Sequence, residues 1–162
     1  GRAPTEFPMV TEDELKEHVA ALVNEFEVNS IRYLDASTEY RIGESIRLSK
    51  KIYRIADALE DIPGDARSSL VPLLDHENLG VRYQAASHLC RLEPALALVA
   101  LQAIANVPYG PLMGAAGMAV RHLTGKMDDL GPPTPRVLEH IAKRERERDA
   151  NRAAWLKRLG RA

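Results

Sequence analysis

The chain has 162 residues, with 22 basic and 23 acidic side chains, a net charge of −1, and 45% apolar against 28% charged residues. That length suits one domain with a substantial core, and the composition excludes a wholly disordered chain. The longest apolar run, residues 95–105, falls short of the ~20 residues that a membrane span needs and contains Gln102. The polar, acidic N-terminal stretch is unlike a secretory signal, and the single cysteine, Cys90, allows no intrachain disulfide. Both features predict a cytoplasmic protein.

Gly1-Arg2-Ala3 and Glu6-Phe7 read as in-frame translations of two cloning restriction sites, and Met9 follows directly. Residues 1–8 are therefore expected to be a cloning scar, followed by a helical domain over 9–130 and a charged capping helix over 131–162. The first helix starts at Thr11, whose hydroxyl can cap the first turn while Glu14 reaches back. Leu15, Val19, Leu22 and Phe26 recur at helical spacing, and the helix should fade near Ser30–Ala36. A second helix is predicted over 44–61, with Leu48, Ile52, Ile55, Leu59 and Ile62 on one face and Pro63-Gly64 as its stop. Asp65 should cap a short third helix kinked at Pro72, and Asn78 a fourth with Val81, Ala85, Ala86, Leu89 and Leu92 inward. Pro94 opens a fifth helix that ends before Pro108, and Pro111 opens a sixth that Gly125 closes. After Pro132-Pro133 and Pro135, a charged helix covers about 136–159. No segment reads as a strand.

Leu70–Leu92 aligns on Leu101–Leu123 at an offset of 31 residues. Leu70 meets Leu101, Leu73 meets Ile104, Val81 meets Leu112, Ala85 meets Ala116, Leu89 meets Val120 and Leu92 meets Leu123. A period of this size built from helix, turn and helix signals stacked hairpins that bury one another's apolar faces. Ala85, Ala86, Ala116 and Gly117 should let the second helices approach closely. Gly110, Gly114 and Gly117 read as tight helix packing, since no strand precedes them and no Lys-Ser/Thr follows, as a phosphate loop requires.

The stretch Leu70–Leu92 resembles the HEAT repeat, in its leucine-rich first helix, Asp75 in the turn, and Val81-Arg82 followed by Ala85-Ala86 and Leu89. More closely, residues 22–123 resemble a small bacterial HEAT-like family catalogued as a domain of unknown function (number 2019). Pro72-Leu73-Leu74-Asp75-His76, Val81-Arg82, Ala85-Ala86, Glu93-Pro94 and Leu101-Gln102-Ala103-Ile104-Ala105 carry that likeness. The resemblance implies an all-α, right-handed HEAT/armadillo-type superhelix of about three hairpins plus a C-terminal charged helix, and it implies no catalytic residues. Met113 stands where Arg82 does, so the Asp–Arg turn pairing is lost in the second repeat.

His18, His76, His88, His122 and His140 are scattered and show no zinc-ligand spacing, and no serine or cysteine has the signature of an activated nucleophile. The expectation is a non-enzymatic protein with no cofactor and no metal. Charge is segregated: residues 1–60 carry a net −4, 61–135 a net −2 and 136–162 a net +5. Small bacterial HEAT-like proteins recur as immunity proteins that block a toxin, and an acidic N-terminal half would suit a basic toxin by electrostatic steering. Glu25, Glu27, Asp35 and Glu39 are the acidic candidates for that contact. Gln84, His88 and Arg91, with Met113, Met118 and His122, are the exposed candidates on the inner surface of the superhelix. The alternative is nucleic-acid binding through Arg144, Arg148 and Arg152 on the last helix, at i, i+4 and i+8. The bland reading of that helix is a solvated cap laced by Glu139–Lys143 and Glu145–Arg148 and docked by Val137, Leu138, Ile141, Trp155, Leu156 and Leu159.

Overall fold

Thr11 and Glu14 begin the fold as a reciprocal cap. The Glu14 amide donates to the Thr11 hydroxyl at 3.1 Å, and the Thr11 amide donates to the Glu14 carboxylate at 3.4 Å. In this computed structural model, which describes residues 10–107, 110–125 and 131–160, the cap opens helix α1, Glu12–Thr38. The expected scar at residues 1–8 lies outside the described residues. Instead of fading near Ser30–Ala36, α1 continues to Thr38, because Phe26, Asn29, Ser30 and Ala36 are all buried and tertiary packing extends the helix. It ends at Tyr40, whose φ of 58° is left-handed, while the Arg41 amide donates back to the Ala36 carbonyl at 2.8 Å. That 6→1 bond is a Schellman termination, which ordinarily selects glycine.

Helix α2, Ile42–Glu60, returns as a hairpin partner and buries Leu48, Ile52, Ile55 and Leu59, as the periodicity predicts. The third segment departs from expectation: Ala66–Asp75 is a 3-10 helix rather than a kinked α-helix. Pro72 removes an amide, and the pairs Leu70/Leu73 and Val71/Leu74 lie three residues apart, the spacing that stacks in a three-residue turn. All four are buried. Helix α3, Leu79–Leu89, is capped by the Asn78 side-chain oxygen, which accepts from Gly80 at 2.9 Å and Val81 at 3.2 Å. Helices α4, Pro94–Ala105, and α5, Met113–Thr124, follow, and α6, Pro135–Arg158, closes the chain. The described residues are thus all-helical, and no helix among them is long and apolar enough to cross a membrane.

Packing is largely sequential: α1 on α2, the 3-10 segment on α3, α3 on α4, and α4 on α5, with α1 also against α3 and α6 against α4. One apolar cluster runs from Phe26 through Leu59, Leu74, Leu89 and Leu101 to Val137. Four of the six positions aligned at the 31-residue offset share their environment, since Leu70, Leu73, Val81 and Ala85 are buried and so are Leu101, Ile104, Leu112 and Ala116, whereas Val120 opposite Leu89 and Leu92 opposite Leu123 are only half-buried. The close approach in the core is made elsewhere than expected. A Cβ on Gly114 or Gly117 would meet nothing within 4 Å, which corrects the reading of those glycines as tight packing. Gly80 is the crowded one: a Cβ there would lie 2.6 Å from the Ser30 carbonyl oxygen and 2.7 Å from Leu34 Cβ.

Because Ser30 and Leu34 belong to α1, Gly80 sets how near α3 can come to it. Gly80→Ala is expected to destabilise the domain by about 1–3 kcal/mol, although alanine favours helices intrinsically. Urea unfolding of the variant beside the parent checks this.

Candidate interaction surface

Apolar packing on α4, through Val137 and Ile141, and a cluster of polar contacts together fix α6 on the domain. Val137 is buried on its first turns, and about two turns on the helix meets the turn between the 3-10 segment and α3. There Arg144 donates to Asp75 at 2.7 Å and to Glu147 at 2.6 Å, while Arg82 donates to the other oxygen of Glu147 at 2.7 Å. Lys143 adds a contact to Asp75 at 3.1 Å, and His140 Nδ1 lies 3.9 Å away. The Arg144 side chain keeps only 9% exposure and that of Arg82 13%. Burial pushes the Asp75 pKa up, but the Lys143 hydrogen bond and the charges of Lys143, His140 and Arg144 outweigh it and hold the carboxyl below its ordinary value.

This chain of alternating charges revises three expectations. Asp75 and Arg82 are joined through Glu147 and Arg144 of α6, and Arg82 also donates to the His76 carbonyl. Of the expected arginine row, Arg144 is engaged by Asp75 and Glu147, whereas Arg148 and Arg152 are exposed. Lys143 pairs with Asp75 rather than Glu139, and Arg148 lies 3.5 Å from Asp149 rather than beside Glu145. Leu138, Trp155 and Leu159 are 51%, 47% and 48% exposed, so the docking face works only along the first half of α6.

Of the acidic candidates, Glu25, Asp35 and Glu39 are exposed, and Glu39 accepts from Arg41 at 2.8 Å. Glu27 is not free: His76 Nε2 lies 2.8 Å from its carboxylate. The Asn78 amide donates to His76 Nδ1 at 2.9 Å, so Nε2 carries the hydrogen and donates to Glu27. At about 100° per residue, Glu14, Glu17, Glu25 and Asp35 fall within an arc of about 80°, away from buried Phe26. Between residues 12 and 39 there are eight carboxylates against Lys16 and Arg32, so the N-terminal acidity belongs to α1. The first part of α2 is the reverse, with Arg41, Arg47, Lys50, Lys51 and Arg54 against Glu44.

The inner-surface set divides. Arg91, Met113, Met118 and His122 are exposed, but Gln84 is 4% exposed, which corrects it as a surface contact, and His88 is only partly exposed. Helix α3 is covered by the α1–α2 hairpin: the His88 ring packs edge-on against Phe26 at 5.7 Å and Tyr53 at 4.6 Å. Burial lowers the His88 pKa from 6.5 to about 4, with Asp57 opposing and Arg67 reinforcing the shift, and Nε2 has no hydrogen-bond partner.

Sequence reasoning missed a second apolar stripe on α2. Ile42, Ile46 and Tyr53 are 67%, 52% and 59% exposed, and Tyr40 just before them is 86% exposed. Their spacing of four and seven residues places them on one face, roughly opposite the buried Leu48 stripe, and that signal was present in the sequence. A further feature is an open groove of about 690 Å³ between the first half of α1 and the 62–69 turn. Leu15, Val19, Val23 and Ile62 form its apolar lining, with Glu12, Lys16 and Glu27 among its polar residues. No group of three or more His, Cys, Asp or Glu side chains comes together for a metal among the described residues.

The buried His88 makes stability depend on pH. Above 6.5 the imidazole is neutral whether folded or unfolded; between 6.5 and about 4 only the unfolded chain takes up the proton, so stability falls as pH falls through that window. His88→Gln is expected to remove this part of the slope, measured by urea midpoints across the window; an unchanged slope would mean that the His88 pKa is the same in the folded and the unfolded chain.

A family model described as Domain of unknown function (DUF2019) matches residues 20–124, from within α1 to the last residue of α5. No curated protein matches the chain. Among solved structures, the crystal structure of the protein RPA1889 from Rhodopseudomonas palustris CGA009 is similar, with 31% sequence identity and a TM-score of 0.62, covering 72% of this chain and 93% of that one. The ion cluster therefore unites Asp75 and Arg82, inside the matched span, with a helix beyond it, and the chain belongs to the DUF2019 family.

Proposed function

We propose that this protein is a non-enzymatic protein-binding module of the right-handed HEAT/armadillo type, and most concretely a cytoplasmic bacterial immunity protein that binds and neutralises a cognate toxin. The observation that carries the protein-binding reading is Tyr40. It holds a left-handed backbone at φ 58° where glycine would be unstrained, and its ring is 86% exposed. A strained, solvated aromatic beside Ile42 and Ile46 makes a poor choice for stability and a good one for contact. The acidic outward face of α1, with Glu17, Glu25 and Asp35, supports a basic partner, which long-range attraction would steer to α1, away from the basic side chains Arg47, Lys50 and Lys51 of α2. Nucleic-acid binding by α6 has less support, because Arg144 is engaged by Asp75 and Glu147.

Tyr40→Gly separates the two roles of the residue. It is expected to raise unfolding stability by about 1 kcal/mol and to weaken partner binding by more than about tenfold. The partner to test is the basic protein encoded beside this one, by calorimetric titration. Unchanged binding by Tyr40→Gly, or no binding of that protein by the parent, contradicts the reading.

A further inference from the structure

The docking face of α6 does not stop where the domain does. Val137, Ile141 and Arg144 sit against the domain, and the same helical face continues as Arg148, Arg152, Trp155 and Leu159 at spacings of four, four, three and four residues. All four of the continuing residues are exposed. This half of the helix thus presents an indole and a leucine beside arginines, with no surface among the described residues packed over them.

We propose that this C-terminal half seats in the α1 groove of a second copy, so that two copies exchange their last helices reciprocally. The groove repeats the chemistry of the seat that the first half already occupies. It offers apolar Leu15, Val19, Val23 and Ile62 with the carboxylates of Glu12, 3.7 Å from Lys16, and Glu27, which also accepts from His76, as the domain offers apolar contacts and Asp75 to the first half. The lengths agree: Arg148 to Leu159 rises about 17 Å, and the α1 wall from Glu12 to Glu27 about 22 Å. Charge favours this occupant over the obvious alternative. Arg148, Arg152, Lys157 and Arg158 against Asp149 leave the tail positive, so two tails pairing with each other repel, whereas the groove is lined by Glu12, Glu27 and Asp65 against Lys16. The groove lies on a different side of α1 from Glu17 and Asp35, so the inference stands independently of the toxin reading.

Trp155 is the single tryptophan and reports directly on the seat. Sedimentation velocity and fluorescence of the full chain over a concentration series are expected to show a monomer–dimer equilibrium in the micromolar range. The indole emission should shift to the blue as the dimer forms, and added salt should weaken it. Trp155→Ala and Val19→Glu should each weaken association at least about tenfold, and mixing the two should restore part of it, because that pair keeps one intact seat. Glu12→Lys, at a side chain 84% exposed, tests the groove without threatening the fold and should weaken the dimer several-fold. A chain that stays monomeric with solvent-exposed indole emission overturns the proposal. So does a dimer that buries the indole but is indifferent to Val19→Glu and Glu12→Lys, which would be tails pairing with each other.

Discussion

Four alternating charges, Asp75, Arg144, Glu147 and Arg82, decide where the last helix lies. Each is joined to the next at 2.6–2.7 Å, and the two arginines are largely out of water. Desolvating such groups is costly, and their attraction offsets that cost only while every member is present. Deleting one strands its neighbours, so the set acts as a register device: α6 docks with Arg144 opposite the 75–82 turn. Apolar packing on α4 adds to this, with Val137 the one buried residue of α6 among those described.

From that register the surface of the molecule follows. The first half of α6 is consumed by the domain, and its second half extends with Trp155 and Leu159 in solvent. Helix α1 is three-sided, with Phe26 and Ala36 inward, the groove along one flank, and an acidic face outward. Helix α2 has two apolar stripes where a helix of a small domain needs one. Tyr40 breaks a local rule at the start of the second. Such conflicts between local preference and global structure mark places where a sequence is kept for contact rather than for folding.

The elements that declare themselves in the sequence are those whose cause is local. Thr11 with Glu14, Asn78 with Gly80 and Val81, and the Leu48-Ile52-Ile55-Leu59 stripe each act within a turn or two of helix, so spacing alone reveals them. The length of α1 was hidden because packing of Ser30 and Ala36, rather than propensity, sustains it. The pairing of Arg144 is silent in the sequence for a related reason: its partner Asp75 is 69 residues away, and only the fold brings them together. Gln84 flanks the inward stripe of α3, and His88 lies two turns beyond Val81 on the inward side, so its burial against Phe26 and Tyr53 was legible by periodicity. Gly80 gave no signal, since its constraint is the backbone of another helix. The Ile42-Ile46-Tyr53 stripe was legible by periodicity and passed over beside the stronger core stripe.

The central claim is that the charge chain divides α6 into a held half and a free half. Amide hydrogen exchange along α6, on dilute protein, tests it most directly. Amides of residues 139–147 are expected to be protected to the level of α4, and those of 150–158 to exchange rapidly. Arg144→Ala should abolish the difference by releasing the first half. Uniform protection along the whole helix, or an unchanged pattern in Arg144→Ala, would contradict the account.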